Sequence, residues 1–334
     1  MSQMLKNGIR NLMGACALVA AGAAMAAAPT ADSKPEAGTF KMGIEPWLGY
    51  GLWHVAAEKG LFEKQGLEKV EVINFNEDKD INAALASGQI DAANIATHTA
   101  MGMVAAGLPV KIVLVLDQSN TADAIIASPD IKSVKDLKGK QVAFEEGTTS
   151  DILLHSALTA NGMSMSDIQP VPMPASNAGA ALIAGQVPVA ITYEPYLTMA
   201  KQQNADVNMV YTGKDDPGIV SDVFVVRDEV LEQKPGQILA LIKTWQASVD
   251  HYNANTAESR GIIAKAVGAS LEELEAAFDG VQYYTLEDNQ QHLSGSFSKE
   301  TFAHVLKAGT EAGLVQQAVT PEQMIDARFV EATR

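Results

Sequence analysis

The chain has 334 residues, with 40 Asp and Glu against 24 Lys and Arg and a formal net charge of −16. So large an acidic excess argues against nucleic acid and anionic lipid surfaces as partners. A chain this long buries a core without disulfide staples, and it has only one cysteine, Cys16.

Residues 1–28 read as an export signal. Lys6 and Arg10 form a positive start, an apolar small-residue run follows over 12–24, and Ala24-Met25-Ala26 and Ala26-Ala27-Ala28 fit small-x-small cleavage. The run is too short and too alanine-rich for a membrane span, which takes about 20 apolar residues. Cleavage near Ala26 or Ala28 is expected, with a periplasmic destination. Lipid attachment at Cys16 is disfavoured, because Met13-Gly14-Ala15 falls too early in the apolar stretch. Cleavage removes the thiol and two cations, leaving 22 basic against 40 acidic residues, or −18.

A polar linker is expected over 29–38, and strands and helices then alternate. The pattern predicts strands at 40–45, 69–74, 92–95, 110–116, 141–144 and 189–192, and helices at 52–64, 80–87, 96–106, 150–161 and 178–184. One unit occurs twice: ALASGQIDAANIA from Ala84 and ALIAGQVPVAITY from Ala181. Upstream, FKMGIE from Phe40 and QVAFEE from Gln141 echo each other as strands ending in acid. The repeat predicts two similar α/β lobes with a cleft beyond the carboxyl ends of their strands. Two apolar runs, AIIA after Asp123 and VFVV after Asp222, are expected as the crossings between lobes. That gives a first lobe at 39–123, a second at 124–222, and a mostly helical return to the first at 223–334. Helices are expected in the return at 237–252, 256–267, 270–278 and 299–312, with a capping box at Ser270 and Glu273.

The sequence from Trp47 to Tyr50, followed by GLWHVAAEKGLFEKQGLE, resembles the opening of the nitrate/sulfonate/taurine class of ABC-importer solute-binding proteins. SGQIDAANIA, the stretch from Ile131 to Met163, AGQVPVAITYEPYL and DDPGIVSDVFVV continue the resemblance over nearly all of the chain after residue 40. It implies a two-lobed periplasmic-binding-protein fold, type II-like, with two hinge crossings. It also implies a small-molecule solute as ligand, and a membrane permease with its ATPase as partners. A monomer is expected, and no cofactor. The chain departs from the pattern after Gly147: where many relatives carry Ser-His, it has Ser150-Asp151.

On this reading the ligand contacts come from strand-end loops. In the second lobe, Glu146, Gly147, Thr148, Thr149, Ser150 and Asp151 form a turn and helix start whose amides point toward the cleft. Opposite them, Glu45, Trp47 and Tyr50 supply an acid and two flat walls. Thr97 and His98 end the first repeat, and Tyr193 and Glu194 end the second; Asp222 adjoins a crossing, as does Asp117. His98 is expected as a neutral hydrogen-bond donor, with no His, Cys or acid at metal-ligand spacing beside it.

No arginine occurs between Arg10 and Arg227, so neither cleft-forming half offers a guanidinium fork for an anion. The presumed loops carry Glu45, Glu145, Glu146, Asp151 and Glu194 instead. The expected solute is a cationic or zwitterionic nitrogen compound: an amine, an amidine or an aminosulfonate. A plain anion such as an alkanesulfonate or nitrate remains an alternative, with the acids facing solvent. So does an enzyme related to the pyrimidine-precursor proteins of thiamine biosynthesis. Those enzymes rely on a cysteine-rich iron motif absent here, and no nucleophile–base pairing, H-E-x-x-H or phosphate loop is present. No catalytic or metal residue is assigned.

Overall fold

The computed structural model describes residues 29–334; the expected signal segment and its cleavage positions lie outside them. Eleven strands are described: β1 (Thr39–Ile44), β2 (Lys69–Asn74), β3 (Ala92–Ala96), β4 (Val110–Ser119), β5 (Asp123–Ala127), β6 (Gln141–Phe144), β7 (Gln169–Pro172), β8 (Val189–Tyr193), β9 (Asn208–Thr212), β10 (Ser221–Arg227) and β11 (Val281–Tyr283). They form two sheets, one in the order β11-β4-β10-β3-β1-β2 and the other β7-β6-β8-β5-β9. Without β11 the two orders correspond strand for strand: β1 with β6, β2 with β7, β3 with β8, β4 with β9 and β10 with β5. In each sheet three strands run parallel, and the next, β10 or β5, is antiparallel to its neighbours.

The repeated Gly-Gln unit is a helix stop. Helix Asp78–Ser87 ends at Gly88 with φ 75°, and helix Ala175–Ile183 runs out just before Gly185 with φ 68°. In both, the following Gln amide returns to a carbonyl five residues back: Gln89 to Ala84, and Gln186 to Ala181. Only a residue without a Cβ takes this left-handed turn at no steric cost. The chain then enters β3 or β8, central strands with apolar interiors as expected when both faces are covered.

The two runs expected as crossings are sheet strands. β5 and β10 are almost wholly buried inside the sheets, and the connecting segments are 120–122 and 213–220, just before them. These segments lie side by side: Lys214 N donates to Asn120 O at 2.6 Å, and Ser119 N to Val220 O at 3.1 Å. Asn120 N also donates to Gly280 O at 2.8 Å, so the C-terminal part of the chain buttresses the hinge.

After β10 the chain is mainly helical. Helix Pro235–Ala254 packs on helices Gly51–Glu58 and Thr256–Ala266, with Trp245 and Trp53 in ring contact at 5.1 Å in the core. The segment before β1 is docked: the Glu36 carboxylate accepts from Gly236 N at 3.1 Å and Gln237 N at 2.9 Å, an acid at the positive end of the long helix. The expected helix over 52–64 is broken in two by Gly60, at φ 61°. No helix among the described residues is long and apolar enough to cross a membrane.

Candidate functional site

A cavity of about 40 Å³ lies between the two sheets, room for a few waters at roughly 10–15 Å³ each. Its position follows from the topology. Parallel strands β1 and β6 deliver their C-terminal ends to it, and antiparallel β5 and β10 deliver their N-terminal ends. Corresponding strands bring corresponding acids: Glu45 after β1 and Glu145 after β6, then Asp123 opening β5 and Asp222 near the start of β10. Asp78, first residue of helix Asp78–Ser87, joins them, and no Lys or Arg lines the cavity among the described residues.

The first-lobe wall is built around Gly49. Trp47 Nε1 donates to Asp117 Oδ1 at 3.1 Å, and a Cβ on Gly49 would overlap both of those atoms. Asp117 is fully buried and stands opposite Asp222 in the β4–β10 register. The two carboxyls are close neighbours, and Tyr50 lies beside Asp222; Asp117 Oδ2 is buried with no hydrogen-bond partner among the described residues. Glu45 and Asp78 are a second pair of neighbouring carboxyls, both lining the cavity. On the opposite wall, Tyr193 meets Trp47 edge to face with ring centres 6.1 Å apart.

Burial is the main cause of the unusual acidities. It raises Glu45 and Asp222 well above the carboxylate range, with neighbouring acids adding to the effect. It pushes Asp123 up to about 8 and Asp117 up to about 7. Asp123 is 6% exposed, and its Oδ2 has no hydrogen-bond partner among the described residues although it lines the cavity.

Of the expected contacts, Glu45, Trp47, Tyr50, Tyr193 and Asp222 line the cavity, as do Thr148, Thr149 and Ser150. The others lie elsewhere. Glu146 is exposed. Gly147 and Asp151 close a turn on themselves, Gly147 N donating to Asp151 Oδ2 at 2.8 Å. The Glu194 carboxylate caps helix Tyr196–Gln203, accepting from Thr198 N and Thr198 Oγ1 at 3.0 Å each. Thr97 Oγ1 donates to Ser221 O at 2.9 Å and ties β3 to β10. His98 is buried, which lowers its pKa to about 4, and its ring reaches the Gly147 and Thr148 carbonyls of the other lobe. It is a neutral contact between lobes.

Sequence reasoning left Asp78 and Asp123 out of the expected contacts, along with Asn76 and Glu77. Asp123 had a signal: once DAIIA and DVFVV are superposed as corresponding strands, it is the mate of Asp222. Asp78 had a weaker one, since the acid-rich run NEDKD suits a helix start.

The hydroxyls at the helix start of this region are internally engaged. At the start of helix Thr149–Ala160, Thr148 Oγ1 and Ser150 Oγ both donate to the Glu145 carbonyl at 3.0 Å. Glu145 Oε2 accepts from Ala175 N at 2.9 Å, placing a carboxylate on the next helix start as well.

Comparison with known proteins agrees with this architecture. A solved structure of the periplasmic aliphatic sulphonate binding protein SsuA from Escherichia coli superposes with a TM-score of 0.73, at 22% identity over 87% of this chain and 92% of that one. The fold is therefore the two-lobed periplasmic-binding-protein fold. The riboflavin-binding protein RibY of Chloroflexus aurantiacus is 26% identical over 325 residues, 91% of each chain. The taurine-binding periplasmic protein of Escherichia coli K12 is 23% identical over 290 residues, 83% of this chain and 88% of the relative. The NMT1/THI5 like family model matches residues 51–259, more than half of the sequence, and the chain belongs to that family.

Proposed function

We propose that this protein is the exported solute-binding component of an ABC importer and that it captures a compact nitrogen cation, or the cationic end of a zwitterion, between its lobes. Family membership supports the importer role, and the permease and ATPase are then its partners. Relatives named for compounds as different as riboflavin and taurine leave the solute to the cleft's own chemistry.

One observation carries the charge assignment: Oδ2 of the buried Asp123 carboxyl has no partner and faces a cavity also lined by Glu45, Asp78 and Asp222 and, among the described residues, by no cationic side chain. Buried like charges are costly unless a positive group sits between them. An ammonium, amidinium or guanidinium supplies that charge together with N–H donors. Trp47 and Tyr193 add aromatic faces, worth about 0.5–2 kcal/mol toward a cation. Asn76 and Thr149 offer neutral polar groups for the rest of the solute. A plain anion would meet carboxylates beside both helix starts, Asp151 on the Gly147 amide and Glu145 on the Ala175 amide.

A thermal-shift panel on the mature protein tests this reading. Guanidinium, acetamidinium, small amines and taurine are compared with nitrate and ethanesulfonate at equal ionic strength. A ligand at a hundredfold excess over Kd stabilises by about 2.7 kcal/mol. Stabilisation confined to members carrying a cationic nitrogen is expected. Stabilisation by the plain anions alone would refute it, and turnover of any member by pure protein would contradict a binding role.

A further inference from the structure

We propose that solute capture is coupled to proton release: the empty cleft holds protons on the paired acids, Glu45 with Asp78 and Asp117 with Asp222, and the arriving cation displaces one of these protons into solvent. This rests on the cationic reading above and adds how the site balances its charge.

Adjacent buried carboxyls with no cation between them favour keeping a proton in each pair, because two carboxylates there would offer only acceptor oxygens and like charge. Asp117 and Asp222 are cross-strand partners at 0% and 4% exposure, where two like charges repel. Around this pair the neighbours are neutral: Trp47 donates to Asp117, and Tyr50 lies beside Asp222. Tyr283 lies beside Asp117 and stays protonated through burial. Around Glu45 and Asp78 the nearby charge is again acidic, from Glu145 and Asp222. Asp123 is flanked by Ser119, Asp222 and Glu194. The lysines in this region act at the margin, Lys79 on Glu145 and Lys201 on Glu194.

A cation entering this cavity supplies the missing charge from outside. One O–H bond breaks, the proton passes to buffer, and the cavity-lining carboxylates among Glu45, Asp78 and Asp222 accept from the ligand's N–H groups. Exchange of one proton for one cation leaves the net charge of the cluster unchanged, so the cleft closes without gaining negative charge. Near neutral pH, affinity should rise with pH, because the competing protons are fewer.

Two measurements on the mature protein test the coupling. Infrared difference spectroscopy of the ligand-free protein should show the carbonyl stretch of protonated carboxyls at pH 7, diminished in Asp222→Asn and in Asp117→Asn. Absence of that band would overturn the proposal without reference to any ligand. Calorimetric titration with guanidinium and methylammonium chlorides at millimolar concentration, in buffers of different ionisation enthalpy, should give release of about one proton per cation bound. Binding with no buffer dependence would overturn the coupling alone. Failure of both probes and of every cationic nitrogen in the thermal-shift panel would overturn the cationic reading, and the coupling with it.

Discussion

Gly49 is the residue on which the first-lobe wall depends. It has no room for a side chain, because a Cβ there would meet Trp47 Nε1 and Asp117 Oδ1. Gly49→Ala should lower stability by about 1–3 kcal/mol through overpacking and weaken solute binding at least tenfold as Trp47 leaves the wall; urea unfolding and calorimetry would check both. Asp123 gives a prediction in pH. Its folded pKa of about 8 lies above the unfolded value near 3.9. The native state therefore keeps a proton that the unfolded state has lost, and stability falls as pH rises between those values. Asp123→Asn removes this contribution. The variant should gain on wild type as pH rises from 5 to 8, by an amount of the order of 1–3 kcal/mol at the upper end, read from urea midpoints. His98, with its pKa lowered to about 4, works in the opposite direction below pH 6.5, so the comparison is between variant and wild type at each pH. In the sequence, Trp47, Tyr50, Glu45 and Asp222 could be placed at the site because each adjoins a strand end. Glu194 adjoins one too, yet its carboxylate turns back to cap its own helix, a choice that side-chain geometry makes and spacing does not record.

The central strands are readable from the sequence because both their faces are covered: β3, β5, β8 and β10 are short apolar runs beside polar turns. β7 reads QPVP and was not expected, since proline suits only a sheet edge, which is where it lies. The two runs taken as crossings show the limit of apolar pattern. It reveals burial, but not that β5 and β10 are exchanged, each completing a sheet immediately after the chain changes lobes. That exchange places Asp123 and Asp222 at the cleft as mates. A second interlobe contact joins helix Phe302–Glu311 to the second lobe. His304 Nε2 pairs with Asp216 Oδ1 at 2.7 Å, and Ser156 Oγ donates to Asp216 Oδ2. Asp216→Ala should loosen this closure. Affinity is expected to drop several-fold, within the ~0.5–3 kcal/mol range of coupled contacts, with an increased radius of gyration in the ligand-free protein by small-angle scattering. Unchanged affinity and radius would make the contact incidental to closure.

The whole molecule is two similar lobes joined by adjacent segments at 120–122 and 213–220, with acids from both lobes meeting between them. Such a hinge lets the lobes separate while each sheet stays intact, so ligand should reduce the radius of gyration without changing secondary structure; a scattering titration would show no compaction if the lobes are locked. The repeated Gly-Gln unit made the two lobes legible. The charge of the cleft was legible only in part, through the missing arginines, because the distances between carboxyls depend on how the lobes close. The central claim is that a positive nitrogen sits among Glu45, Asp78, Asp123 and Asp222. A crystal structure of the mature protein with the tightest-binding member of the thermal-shift panel tests it most directly. The account predicts cationic nitrogen within hydrogen-bond distance of at least two of these carboxylates, Asp123 among them, and beside the Trp47 ring. An anionic group seated instead on the amides at Thr149 and Ser150, with the carboxyls turned away from it, would contradict the account.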